Sequence, residues 1–167
     1  MAVRIITDSA SDIDDIDDPR LRVVPLSISF GDQTFKDGVD LDHARFYELL
    51  VERFVAVSDI VKVSDEDVEW LTEGAPLEDT IARWLGMGPS VVVVTRGKHG
   101  SLAVTASGVR LSKTPNDVPV VDTVGAGDSF TGGIIDALWE LGLTGAGARD
   151  ALRGIDEASV AAVLDRA

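Results

Sequence analysis

The sequence predicts an α/β protein: a three-layer α/β/α sandwich on a mostly parallel sheet, with antiparallel hairpin additions. Three observations carry that reading. Short β-branched runs alternate with helical stripes along most of the 167 residues, the pattern of strands covered by crossover helices. Val91-Val92-Val93-Val94 is a continuous apolar run, as expected of a central strand buried on both faces. A Gly-rich turn, Gly125-Ala126-Gly127, passes directly into a helix whose Phe130, Ile134, Leu138 and Leu141 recur at helical spacing.

Taken in order, Val3 to Thr7 reads as a first buried strand. Asp12, Asp14, Asp15, Asp17 and Asp18 follow in an acidic loop, read as solvated rather than as a cation site. Val23 to Phe30 reads as one alternating strand, with Val24, Leu26, Ile28 and Phe30 on one face and Ser27 and Ser29 on the other. Gly31-Asp32 matches a two-residue hairpin turn into Gln33-Thr34-Phe35. Asp42 is placed to cap a helix whose buried stripe is Phe46, Leu49, Leu50 and Phe54. Ile60 to Val63 is a short strand. Ser64 or Asp65 caps the helix carrying Val68 and Leu71, and Pro76 opens another towards Trp84 and Leu85. Arg96 to Gly100 turns the chain into Ser101–Thr105, and Ser107-Gly108 turns it again into Val109–Ser112. Asp156 is placed to cap a last helix with Val160, Val163 and Leu164 as its stripe. Trp70, Trp84 and Trp139 sit among apolar neighbours and read as core or near-core.

Composition bounds the chemistry. One domain of this length buries a substantial core. Apolar residues make up 45% and charged residues 26% of the chain, the balance of a soluble globular protein. The net charge of −14 argues against nucleic acid or an anionic membrane as partner. It also means that a nucleotide site must rely on local donors and Mg²⁺. There is no cysteine, hence no disulfide and no thiol chemistry. The opening apolar run is too short for a signal peptide and no segment is long enough to span a bilayer, so a cytoplasmic location is expected. His43 and His99 lack neighbours at metal-ligand spacing. Exposed sheet edges leave a monomer and an edge-paired dimer both open.

The Gly-rich turn carries the chemistry. Gly125 and Gly127 let backbone N–H groups approach an anion, and the positive end of the helix dipole adds to the attraction. Asp128 stands at the mouth of the turn, where a carboxylate takes a proton from a hydroxyl nucleophile. An anion cradle beside a base is what phosphoryl transfer to an alcohol needs.

The run Asp122-Thr123-Val124-Gly125-Ala126-Gly127-Asp128 resembles the C-terminal signature of the ribokinase/PfkB family of sugar kinases. That resemblance implies a ribokinase-like, Rossmann-type fold, an anion hole at Gly125, Ala126 and Gly127, Asp128 as catalytic base, and ATP with Mg²⁺. Asp59 to Leu71 is similar to the fructokinase form of a segment in which the family often carries Asn-x-x-Glu. Ser64 and Asp67 stand at those places, making Asp67 the candidate metal ligand. Val91 to Ser101 resembles the strand and turn beside the nucleotide, implicating Thr95, Gly97 and Gly100 in nucleotide binding.

The first fifty residues read differently. Ile5-Ile6-Thr7-Asp8-Ser9, Val23-Val24-Pro25-Leu26 and Asp37-Gly38-Val39-Asp40, in that order, resemble the opening of DegV-family fatty-acid-binding proteins. Asp8 and Ser9 are the lipid-site candidates on that resemblance, although capping of their own loop is the simpler reading. A change of family near Leu50, inside a helix, points to an engineered recombinant chimera of residues 1–50 and 51–167 within a single domain. Such a chain is expected to keep weak nucleotide binding and to lack evolved catalysis, because the family's sugar-binding half and lid are not visible. The alternatives are a PfkB-type kinase of a sugar hydroxyl and a DegV-like lipid binder.

Overall fold

The computed structural model describes residues 4–11, 17–115 and 123–167. The expectations for Val3, for Asp12, Asp14 and Asp15, and for Asp122 of the signature lie outside the described residues. The chain divides into two compact units, Met1–Val51 and Glu52–Ala167.

In the first unit β1 (Ile5–Asp8) pairs in parallel with β2 (Leu21–Val24), and β3 (Ser27–Phe30) forms an antiparallel hairpin with β4 (Gln33–Lys36). Phe30 pairs with Gln33 across the two-residue turn, and Gly31 there has φ +67°, the left-handed value such turns require. The single strand expected from Val23 to Phe30 is instead two, broken around Pro25. Proline has no N–H for a ladder, and the alternation slips across it. Val24 and Leu26 are exposed while Ile28 and Phe30 turn inward. Phe35, Phe30, Phe46 and Tyr47, in that order, stack edge to face with successive centroids 6.4, 5.9 and 5.4 Å apart.

Helix α1 (His43–Val57) begins where Asp42 accepts the Arg45 N–H at 2.8 Å, the cap anticipated. Leu49 and Val55 are buried, whereas Phe54, expected in the stripe, is 63% exposed. The division into units falls within α1.

The second unit is built on a four-stranded sheet in the order β5 (Ile60–Ser64), β6 (Val91–Thr95), β7 (Ser101–Thr105), β8 (Arg110–Lys113). β5 and β6 are parallel; β6–β7 and β7–β8 are antiparallel. The α/β class is as read, but the sheet expected to be mostly parallel is mixed: two of its three strand pairings are antiparallel, because short turns rather than crossover helices follow β6 and β7. Between β5 and β6 the chain makes helices α2 (Asp65–Leu71) and α3 (Leu77–Met87). Ser64 caps α2, accepting the Asp67 N–H at 3.0 Å.

Beyond β8 come α4 (Ala126–Glu140), α5 (Ala148–Arg153) and α6 (Glu157–Arg166). α5 has no counterpart in the sequence reading. Asp156 caps α6 through the Ser159 N–H at 2.8 Å. Val91, Val93 and Ala103 on one sheet face pack with Ile134, Leu138, Val160 and Leu164 of α4 and α6. Val92, Val94 and Leu102 alternate to the other face and are fully buried, on the side where α2 and α3 meet β5 and β6. Gly133 lets α4 and α6 touch: a Cβ there would lie 2.6 Å from the Cα of Ala167.

Trp84 is buried, as expected, but Trp70 and Trp139 are 64% and 73% exposed. At 100° per residue, Trp70 is turned well away from Val68, the residue α2 buries. Trp139 shares the outward face of α4 with Ile135, and Leu141 at its end is also exposed. Among the described residues no helix is long and apolar enough to cross a membrane.

Candidate functional site

The start of α4 comes close to Lys62 of β5, the strand that pairs in parallel with β6. Gly125 precedes the helix with φ 77° and ψ 0°. That left-handed geometry suits glycine, and among the described residues nothing beyond its chain neighbours lies within 4 Å of where its Cβ would be. The Ala126 N–H is taken by the Thr123 carbonyl at 3.1 Å, and the helix ladder starts with Ser129 N–H to the Gly125 carbonyl at 2.9 Å. The N–H groups of Gly127 and Asp128 lie between them with no acceptor inside the helix. Asp128 is exposed, and its carboxylate sits in the first turn of the helix.

Lys62 completes this surface. On β5 it shares a face with Ile60, which packs against the α4 cluster. Its Nζ stands 3.2 Å from where a Cβ on Gly127 would be. Glycine at 127 therefore makes room for the Lys62 ammonium. Sequence reasoning assigns Lys62 no role, although a lone charge inside an apolar strand was the available signal.

Other site residues fall into two groups. Ser64 pairs with Thr95 across the parallel ladder, at the carboxyl ends of β5 and β6. The Thr95 hydroxyl donates to the Val63 carbonyl at 3.4 Å. Asp67 and Ser64 hold each other: the Ser64 hydroxyl donates to Oδ2 of Asp67 at 2.6 Å while accepting its N–H. One oxygen of the candidate metal ligand is thus engaged in capping α2, and no group of three His, Asp or Glu able to hold a metal occurs among the described residues. Gly97 opens a single-turn 3₁₀ segment, Gly97–His99. Its space is open, whereas a Cβ on Gly100 would lie 1.9 Å from the Lys113 carbonyl oxygen. Gly100 serves the β7–β8 ladder, which accounts for it without a ligand.

Asp8 and Ser9 lie in the first unit and behave as loop caps. Asp8 accepts the Ala10 N–H at 3.2 Å, and Ser9 Oγ accepts the Leu26 N–H at 3.1 Å. His99 is exposed in the turn after β6.

The description "pfkB family carbohydrate kinase" fits residues 32–164, a span that begins before the join expected near Leu50. A fructokinase from Rhizobium leguminosarum bv. trifolii is 43% identical over 89 residues, covering 53% of this chain and 27% of that protein. An aminoimidazole riboside kinase from Salmonella enterica, solved with aminoimidazole riboside and an ATP analog, superposes with a TM-score of 0.58 at 27% identity. That match covers 75% of this chain and 38% of the other. A double-mutant fructokinase from Vibrio cholerae O395, solved with fructose, ADP and potassium, gives a TM-score of 0.57 at 25% identity, covering 78% and 40%. The chain spans well under half the length of each.

Proposed function

The chain belongs to the pfkB family of carbohydrate kinases, and from that premise we propose that its second unit is a nucleotide site built for phosphoryl transfer to a sugar hydroxyl. The observation that carries the reading is the start of α4: Gly125 in the left-handed conformation, open N–H donors at Gly127 and Asp128, and the Asp128 carboxylate in the same turn. The donors bind the phosphoryl oxygens on which charge develops during transfer. Asp128 accepts the proton of the sugar hydroxyl as its oxygen bonds to the terminal phosphorus and the bond to the leaving ADP oxygen breaks. Mg²⁺, when bound as the nucleotide's chelate, would supply neutralisation of phosphate charge. The Asp67 oxygen that Ser64 does not hold is the carboxylate atom offered to it. Thr95 and Gly97 border the nucleotide from β6 and its following turn.

Relatives whose structures hold an ATP analog, or ADP with fructose, support nucleotide and sugar as ligand classes. The part of those proteins outside this chain's span is the larger part, so nucleotide affinity is expected to exceed any turnover. The test is calorimetric titration with Mg-ATP beside Gly125→Val, followed by a sugar panel. Saturable binding lost in the variant supports the site; no heat from folded protein refutes it.

A second reading, a DegV-like first fifty residues joined to a kinase fragment, is favoured by the division of the chain at Val51 and Glu52. The family match beginning at residue 32 weighs against it. Extraction of purified protein for bound fatty acid separates the two: a stoichiometric lipid supports the DegV-like reading.

A further inference from the structure

Resting on the nucleotide site proposed above, we infer that Arg166 is a positioning residue: from α6 it clamps the second half of α4 and so fixes where the glycine turn and Asp128 stand. Three observations point there. The first is the clamp itself. Arg166 Nε lies 2.7 Å from Asp136 Oδ2, and its Nη2 lies 2.5 Å from Glu140 Oε1. One guanidinium therefore spans a turn of α4. Close by, the two helices meet backbone to backbone, because a Cβ on Gly133 would lie 2.6 Å from the Arg166 carbonyl oxygen. The second is charge. Asp136 and Glu140 are like charges four residues apart, which repel one another, and they stand towards the negative end of the helix dipole. The last turn of α4 has no basic residue, so the cation that this end needs comes from α6.

The third is where α4 is held. The residues it buries, Ile134, Ala137 and Leu138, lie in its second half, as do both carboxylates of the clamp. Residues 126–129 are exposed. The donors of the proposed site are backbone N–H groups of the helix itself, so they go where the helix goes. Gly127 stands about 20 Å from Glu140 along the helix axis, and a tilt of about 3° at the clamped end carries the turn about 1 Å. A shift of that size is enough to spoil a positioned contact, and a rigid helix transmits it from one end to the other. Exposed ion pairs contribute little to stability singly, so the clamp acts on the placement of the helix more than on folding. Arg166 itself touches neither phosphate nor sugar.

Calorimetric titration of the full chain, Arg166→Met, Arg166→Lys and Arg110→Met with Mg-ATP, beside their urea midpoints, tests this. Arg166→Met is expected to weaken ATP about 2–30-fold, the range for couplings carried through a rigid element. Arg166→Lys keeps a cation between the two carboxylates and recovers most of the affinity. Arg110→Met removes another exposed ion pair of the same unit, the one to Glu78, and leaves ATP affinity at the wild-type value. A merely structural role would move midpoints and not affinities. Wild-type affinity in Arg166→Met, or an equal loss in Arg110→Met, overturns the inference and leaves the nucleotide site standing. Failure of the wild-type chain to bind ATP overturns both. Should Arg166→Met not fold, Asp136→Asn/Glu140→Gln takes its place: it releases the same clamp without leaving repelling carboxylates, and wild-type affinity there overturns the inference.

Discussion

Gly97 and Gly100 stand three residues apart in one turn, yet alanine is expected to act on them very differently. Gly100 has φ 84° and ψ −143°, near the region only glycine enters freely, which costs another residue about 1–3 kcal/mol. Its new Cβ would also lie 1.9 Å from the Lys113 carbonyl oxygen and 3.0 Å from the Cα of Thr114. Both are backbone atoms, so the end of β8 must move. Lys113 pairs with Ser101 at that end of the ladder, and losing one such bond costs about 1 kcal/mol. The sum is about 2–4 kcal/mol by those two principles. Gly97 has φ 49° and open space, so alanine there carries only the left-handed penalty of about 1–2 kcal/mol. Urea unfolding followed by tryptophan fluorescence, with midpoints compared at equal slope, measures both. A Gly100→Ala loss within about 0.5 kcal/mol of Gly97→Ala, the scatter of ordinary surface changes, would refute the argument. Gly97→Ala is then the informative variant for nucleotide contact, because Gly100→Ala changes the sheet first.

Asp128→Asn is expected to lower any sugar-dependent ATP turnover about 10²–10⁴-fold while leaving the urea midpoint unchanged; equal turnover in a coupled ADP assay would remove Asp128 as base. Trp84 is 2% exposed, so Trp84→Ala should cost about 3–5 kcal/mol in urea unfolding. Its indole N–H is buried without a hydrogen-bond partner among the described residues, so Trp84→Phe should cost clearly less, and equal losses would contradict the packing described. Glu78 is held below the ordinary carboxyl range chiefly by hydrogen bonds from Arg110, and Asp156 chiefly by the Ser159 backbone N–H. A depressed folded-state pKa contributes stability that is present above the unfolded value, near pH 4, and is lost as pH falls through the folded values. The Glu78→Gln/Asp156→Asn pair should therefore flatten the acid limb of a midpoint-versus-pH curve. Parallel curves would show that neither group contributes.

Local signals in the sequence were read correctly where one residue decides the geometry. Asp42, Ser64 and Asp156 each cap the helix that follows, the Gly31-Asp32 pair turns the hairpin, and the four valines of β6 are the buried centre of the sheet. The misreadings arise where a non-local partner decides. The break at Pro25 and the slip of faces across it depend on where β2 and β3 find their partners. Trp70 and Trp139 have apolar neighbours in sequence, but exposure follows helix rotation relative to the sheet. α5 is a single short turn region between glycines, with too few residues to show a period. Within the candidate site, the glycine turn and Asp128 are legible because their spacing is contiguous. The role of Gly100 under Lys113 is not, nor is the approach of Lys62 to Gly127, because each joins residues distant along the chain.

The meander β6–β7–β8 has a consequence for the order of assembly. Its strands are joined by the short turns at residues 96–100 and 106–109, whereas β5 reaches β6 only after two helices. Loop-closure entropy favours the short connections, so the three antiparallel strands are expected to associate first, with β5 joining afterwards. Pulsed hydrogen exchange during refolding would show this as protection of β7 amides before those of Val61 and Val63. Simultaneous protection would contradict it. On that sequence of events Lys62 and Ser64 of β5 arrive last, and the approach of Lys62 to Gly127 comes into being only as the sheet closes.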